Sequence, residues 1–341
     1  MYTQKEIIEK IIKIRKEIGH DPVKPEIKKI HYNNNELSII TPDRPEKSII
    51  IGKGGWVVGK LKEELQLDSI HVISYTDLIL KEYQLELSIK HITNIIKEKQ
   101  IPQEYIPIFE KIKELLNIKH NKIYDNKIIE KYIEENINKT RQENTKAIIA
   151  LSGGVDSSFS LLLAKSIGLN TTAMTIDPGT IILPKQFRQN IDNLTRKTDT
   201  PHKYIKTDLN KTITESLEGK IHPCGRCSKT IHNTINKEAR KENIKLIIFG
   251  DLLSTGSQSI TIKEDEIRIN LPALFRMEKT EIKNIVTKYD VKKIKGYGCP
   301  LLVQVHKKYP QYKAFSIQRI LRETRAGILE PGEALELIKT I

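Results

Sequence analysis

The sequence predicts an α/β protein in which a doubly wound parallel sheet follows a smaller α+β unit and a helical connector. Two observations carry that expectation. From Lys146 onward, short apolar runs alternate with helical segments, the pattern of strand–helix units that build a parallel sheet. Ahead of them, residues 1–77 hold an amphipathic helix, strand-like stretches and a glycine-rich turn. With 341 residues, 38% hydrophobic and 29% charged, the chain is long enough for more than one globular domain.

The elements follow in order. Met1–Lys10 alternates charge with isoleucine at helical spacing and reads as an amphipathic helix, not a signal peptide. Glu26–Tyr32 and Glu36–Thr41 are strand-like and joined by the turn-forming Asn33, Asn34 and Asn35. Ser48–Ile51 reads as an apolar, strand-like run, Gly52–Gly55 as a tight turn, Trp56–Leu65 as a helix and Ile70–Tyr75 as a further strand. Residues 78–145 are helical in periodicity, broken at Pro102 and Pro107, and form the connector, with Lys119–Asn144 as the expected linker. Residues 146–341 open on the buried strand Ala147–Ser152, then a helix over Ser157–Ile167 and a strand over Thr171–Ile176. Tyr204–Thr207 and Lys245–Phe249 supply further strands, and Ser228–Glu242 a helix.

The formal net charge of +14 points to an anionic partner, because Lys and Arg release counterions when they neutralise phosphates. The competing explanation is a composition rich in Ile, Lys and Asn, which raises charge with no partner at all. No apolar run approaches the roughly 20 residues of a membrane span, so no membrane partner is expected and the cytoplasm is the expected location. Three cysteines, Cys224, Cys227 and Cys299, are an odd set for a disulfide scaffold and suit a shared task.

The first chemical motif is Ser152-Gly153-Gly154-Val155-Asp156-Ser157-Ser158, set between a strand and a helix. Gly153 and Gly154 let backbone amides approach a phosphate, and Ser152, Ser157 and Ser158 add hydroxyls beside the positive end of a helix. A carboxylate at Asp156 repels an anion unless a bound Mg²⁺ bridges the two. No lysine closes the loop, which separates it from GxxxxGK[ST]. The stretch resembles the SGGxDS loop of the PP-loop ATP pyrophosphatases, whose fold is that of the adenine nucleotide alpha hydrolases. The resemblance covers residues 146–341 and implies cleavage of ATP between the α and β phosphates, leaving AMP on a substrate. It implies that Ile176 at a strand end holds the adenine, that Gly250 and Asp251 face the nucleotide, and that Lys279 reaches a phosphate. The loop Ile248–Gly256 departs from the commoner histidine-containing form, which weakens Asp251 relative to Asp156.

Pro223-Cys224-Gly225-Arg226-Cys227 precedes the expected helix, and Cys299 lies in the turn Gly296–Pro300. Two thiolates at CxxC spacing suit a metal centre or a redox pair. Zinc wants a fourth ligand, for which His222 or His202 is available. The set of a CxxC and one later cysteine resembles the cluster-dependent branch of tRNA thiolation enzymes. That resemblance implies a [4Fe-4S] cluster on Cys224, Cys227 and Cys299 whose open iron holds a sulfur that displaces AMP from an adenylated base, with Arg226 or Lys229 near the anionic sulfur. A persulfide on one cysteine with a second as resolving thiol is the competing chemistry.

Asp43–Leu65, with its arginine–proline entry, Ile50-Ile51-Gly52-Lys53-Gly54-Gly55 loop and following helix, resembles a KH domain of the β-first form found in ribosomal and archaeal RNA-processing proteins. The resemblance implies that Gly52, Lys53, Gly54 and Gly55 clamp an RNA backbone, with Lys60 adding charge. The competing reading is a degenerate KH fold that only packs against its neighbour, with Trp56 at the loop as a packing residue.

Together these features lead to one expected function: an ATP-dependent tRNA sulfurtransferase, Asp156 and the three cysteines being its catalytic residues. Its expected ligands are ATP, Mg²⁺ and a [4Fe-4S] cluster, with Zn²⁺ as the alternative. Its expected partners are tRNA and a sulfur donor (sulfide, a persulfide or a carrier protein), a homodimer being left open. The alternatives are a sulfur-independent PP-loop ligase with zinc-bound cysteines and a noncatalytic RNA-binding protein.

Overall fold

The computed structural model describes residues 2–139, 145–253, 258–264, 266–294 and 296–341. The chain forms two compact units, residues 1–83 with 122–126, and residues 84–121 with 127–341.

In the first unit, α1 (Gln4–Glu17), β1 (Lys29–Asn33), β2 (Glu36–Thr41), α2 (Arg44–Ile51), α3 (Trp56–Leu65) and β3 (Ser69–Ser74) follow one another. Thr3 and Glu6 close a capping box at the start of α1, and Ile7, Ile11 and Ile14 recur on its buried face. They pack with Leu37, Ile39, Ile50, Val57 and Leu61 into one core. The sheet runs β1-β2-β3, with β1 antiparallel and β3 parallel to β2. The expected strand over Ser48–Ile51 is instead the last turns of α2. Asp43 caps that helix by accepting from Glu46 N at 3.0 Å, and Pro45 presets its first turn, so local capping overrides the β-branched run.

The helix α4 (Tyr75–Lys97) runs out of the first unit into the second. There α5 (Ile106–Asn121) and α6 (Ile128–Asn136) precede β4 (Lys146–Ala150), α7 (Val155–Ile167), β5 (Asn170–Asp177), α8 (Lys185–Lys197), β6 (His202–Lys206), α9 (Asn210–Leu217) and α10 (Pro223–Lys241). The chain continues through β7 (Leu246–Phe249), β8 (Ile260–Lys263), β9 (Glu266–Asn270), α11 (Leu271–Leu274) and α12 (Lys279–Thr287). It ends on α13 (Pro300–Lys308), α14 (Lys313–Arg325) and α15 (Pro331–Lys339). Helices expected as a connector share this unit's core: Ile92, Phe109, Ile112 and Ile133 cluster with Phe159 and Leu162 of α7. Part of the expected linker, residues 140–144, lies outside the described residues.

The six strands are ordered β6-β5-β4-β7-β9-β8, and all pair in parallel except β8 with β9. Both faces are covered. Ile149 and Ile248 pack with α7, whereas Ile148 and Ile247 pack with Ile235 and Ala239 of α10. Chain order reverses at β4, which sits between β5 and β7, so the carboxyl ends of β4 and β7 frame a switch-point crevice where such sheets take ligands. Among the described residues, no helix is long and apolar enough to cross a membrane.

Candidate nucleotide and cysteine sites

The loop from β4 to α7 lies at that switch point. Gly153 has φ +76°, and a Cβ there would stand 2.5 Å from the carbonyl oxygen of Phe187 in α8. Only glycine fits both the backbone angle and the approach. Asn190, also on α8 and buried, donates to the Gly153 carbonyl at 3.0 Å and to that of Lys292 at 2.9 Å, while its own Oδ1 accepts from Lys292 N at 3.1 Å. Asn190 fixes the turn from outside the motif, and its only sequence signal is a polar residue on the face bearing Phe187, Ile191 and Leu194.

The serines divide their work. Ser157 Oγ accepts from Ser152 N at 3.1 Å and donates to Gly154 O at 3.2 Å, closing the loop on itself. Ser158 is fully buried, and its Oγ has no hydrogen-bond partner. Ser152 is exposed, and its Oγ lies 3.0 Å from Ser157 Oγ and accepts from Gly154 N at 3.4 Å, at the N-terminus of α7. Gly250, just after β7, comes so near that a Cβ would stand 2.8 Å from Ser157 N.

Asp156, in the first turn of α7, accepts from Lys279 Nζ at the start of α12. Its other oxygen, Oδ1, is buried and has no partner. An orphaned carboxylate oxygen beside an anion cradle fits a hard cation such as Mg²⁺, which takes oxygen ligands. Lys279 thus reaches the loop. Asp251 is otherwise engaged: Arg268 of β9 donates to its Oδ2 at 2.9 Å, and the same guanidinium reaches His232 Nδ1 at 3.0 Å and stacks on Phe249. Ile176 lies near the end of β5, paired in register with Ile205. The next residue, Asp177, accepts from Arg188, whose hydrogen bond holds that carboxyl below the ordinary carboxylate range. Of the expected loop Ile248–Gly256, residues 254–256 lie outside the described residues.

The cysteines also converge. Pro223 starts α10, so the CxxC lies in the first turns of that helix instead of before it; proline at the first helical position explains the earlier start. Cys299 is the N-cap residue of α13. Burial and then the nearby Cys299 push the Cys224 thiol up, and burial, Cys299 and Cys224 push Cys227 to about 11. Cys224 and Cys227 in the first turns of α10 and Cys299 at the N-terminus of α13 thus lie within electrostatic reach of one another. Tetrahedral zinc, with Zn–S bonds of about 2.3 Å, would draw its sulfurs to about 4 Å from each other. Among the described residues, no trio containing a cysteine has its donor atoms within 4.8 Å of one another. His202 instead contacts Thr175 Oγ1 at 2.9 Å, and His222 packs its ring 5.3 Å from that of Phe315.

Of the two basic residues expected beside the sulfur, Arg226 pairs with Glu215 of α9, and Lys229 is exposed on α10. The cation within electrostatic reach of Cys224 is Arg319 of α14, which the sequence pattern did not single out.

In the first unit, Gly52 has φ +71°, and a Cβ there would stand 2.3 Å from Val57 Cγ2. Gly54 and Gly55 also have positive φ, and Lys53 is exposed between α2 and α3. Lys60 lies one turn into α3 and is partly buried. Trp56 is 65% exposed, which does not favour the competing reading of it as a packing residue.

The candidate site is thus an SGGxDS loop at the switch point of a doubly wound sheet. No family model matches the chain. It is 39% identical over 197 residues to the uncharacterized protein MJ1638 of Methanocaldococcus jannaschii, spanning 58% of this chain and 74% of that protein, and it belongs to the same family. It is also 26% identical over 182 residues (49% of this chain) to the glutamine-hydrolyzing GMP synthase of Thermotoga petrophila. Over 99 residues (28% of this chain) it is 37% identical to the NH3-dependent NAD+ synthetase of Staphylothermus marinus. The matches span only 36% and 34% of those two enzymes. Among solved structures, a U34-tRNA thiolase of Methanococcus maripaludis with its [4Fe-4S] cluster matches at 15% identity and a TM-score of 0.37, over 62% of this chain and 76% of that one. NMN synthetase of Francisella tularensis matches at 17% identity and a TM-score of 0.36, over 62% of this chain and 91% of that one.

Proposed function

We propose that the chain is an ATP-dependent tRNA sulfurtransferase. The observation that carries this reading is the gathering of Cys224, Cys227 and Cys299 at the N-termini of α10 and α13, in the unit that also bears the nucleotide loop. A [4Fe-4S] cluster on three thiolates leaves one iron open to an exogenous sulfur ligand.

The chain's own groups supply the rest. The amides around Gly153 and Gly154 and the Ser152 hydroxyl hold the phosphates of ATP, and Asp156 Oδ1 would hold Mg²⁺. Attack of a base carbonyl oxygen on the α-phosphate releases pyrophosphate and leaves the oxygen adenylated. That oxygen then departs with AMP when sulfur adds to the same carbon. Lys279 offsets charge on the departing pyrophosphate, and a Mg²⁺ held at Asp156 would supply further positive charge there. In the first unit, the order α1-β1-β2-α2-α3-β3, with a glycine-rich loop between α2 and α3, supports reading it as a KH-like RNA-binding module.

Protein purified without oxygen is expected to be coloured and to hold iron, and Cys224→Ser or Cys299→Ser to lose both colour and thiolation. A colourless, iron-free protein with full activity would sink the proposal. A second reading, a sulfur-independent ligase, draws on the similarity to two enzymes named for ammonia or glutamine use. Cysteine variants that keep full ATP-dependent product formation with an amine donor would favour it.

A further inference from the structure

Beside the cysteines, α14 turns an unusual face to solvent. Phe315 is 55% exposed. Arg319, Arg322 and Arg325 follow it at four, seven and ten positions, all exposed, so the four side chains lie on one stripe of the helix. The acidic residue of α14, Glu323, is buried and lies within 3.5 Å of Arg319. Arg322 and Arg325 have no ion pair among the described residues. The Phe315 ring is not isolated: His222 stands 5.3 Å from it and Tyr312 6.1 Å, centroid to centroid. His222 is the N-cap residue of α10, two positions before Cys224, and Arg319 lies within electrostatic reach of the Cys224 sulfur.

The geometry points to this stripe as the platform on which a single-stranded RNA segment lies, Phe315 stacking on an unpaired base and Arg322 and Arg325 meeting the flanking phosphates. The partner class rests on the RNA-substrate reading above; the surface itself rests on exposure, charge and ring geometry. An exposed aromatic held by neighbouring rings offers a π-face without specifying a base, and cations along the same stripe follow a backbone. Its position brings the unpaired base next to the three thiols. A paired duplex has no free base face to offer Phe315, so the stripe selects loops and ends.

The test is fluorescence anisotropy with the full chain, using a labelled RNA hairpin with an unpaired loop and, separately, a blunt RNA duplex. No ATP or sulfur donor is present, so binding is read apart from the chemistry. Phe315→Leu is expected to weaken hairpin binding roughly tenfold and to leave duplex binding unchanged. Arg322→Gln with Arg325→Gln is expected to weaken hairpin binding and to reduce the salt slope, d log K/d log[salt], by about two. Both variants are checked for an unchanged thermal midpoint, and Phe315→Tyr, which keeps the stacking face, is expected to bind like the parent. Parental affinity and slope in both variants overturn the platform. So does a wild-type dimer that the arginine changes turn into a monomer, since the stripe would then be a self-association face. If the platform holds but tRNA thionucleosides do not depend on the protein, the surface stands and the sulfurtransferase reading fails.

Discussion

Lys279 Nζ donates a hydrogen bond to Asp156 Oδ2, joining the first residue of α12 to the first turn of α7 across 123 positions of sequence. The pair leaves Asp156 Oδ1 buried and without a partner. One carboxylate thus holds its lysine with one oxygen and leaves the other as a candidate cation ligand. Under the proposed function, the lysine would meet the charge of the departing pyrophosphate.

Under the proposed function, removing either member is expected to lower pyrophosphate release far more than it lowers stability. Lys279→Ala and Asp156→Asn are each expected to slow release on the order of 100-fold, the scale of losing one preorganised charge donor. Because they touch, the double variant should lose less than the product of the two. A steady-state assay with the four proteins checks this, and full multiplicativity would argue that the residues act separately.

Gly153→Ala puts a Cβ 2.5 Å from the Phe187 carbonyl at φ +76°. Strain of that kind costs about 1–3 kcal/mol, and the loop must shift away from α8. A lower thermal midpoint and loss of the stabilisation that ATP gives the parent are expected. A variant with parental midpoint and parental ATP response would show that the loop is not fixed by α8.

Lys53 is exposed at the tip between α2 and α3, where three glycines have positive φ. Lys53→Glu should weaken RNA binding and reduce the salt slope by about one or more, with no effect on pyrophosphate release in the absence of RNA. Titration of a labelled tRNA at several salt concentrations reads both, and an unchanged slope would remove RNA from this loop.

What the sequence made legible was local. The strand, Ser152–Ser158 and the helix that follows sit within one continuous stretch, so glycine spacing and apolar pattern suffice to place them. The CxxC was legible for the same reason, but its place inside α10 depends on Pro223 starting the helix earlier than the apolar pattern does. Ser48–Ile51 was misread because isoleucines favour strands, whereas Asp43 and Pro45 nucleate a helix a few residues upstream. Asn190 and Arg319 were not legible. Each acts on a motif from a distant element, and neither belongs to a spacing pattern of its own.

Asp177 and Arg188 give a pH test. The arginine's hydrogen bond lowers the carboxyl's folded pKa, so the pair's stabilisation is full above the unfolded value near ~3.9 and is lost as pH falls through the lowered folded value. Arg188→Ala is expected to cost about 1 kcal/mol or less at neutral pH, since the pair is partly solvated. The difference from the parent should vanish in strong acid, read by urea unfolding across that window. A difference that persists unchanged would place the arginine's contribution elsewhere.

The most direct test of the central claim is the thionucleoside content of bulk tRNA from cells with the gene, without it, and with Cys224→Ser or Asp156→Asn in its place. One thionucleoside is predicted to disappear without the gene and to stay absent in both variants. An identical thionucleoside profile in all four would contradict the assignment.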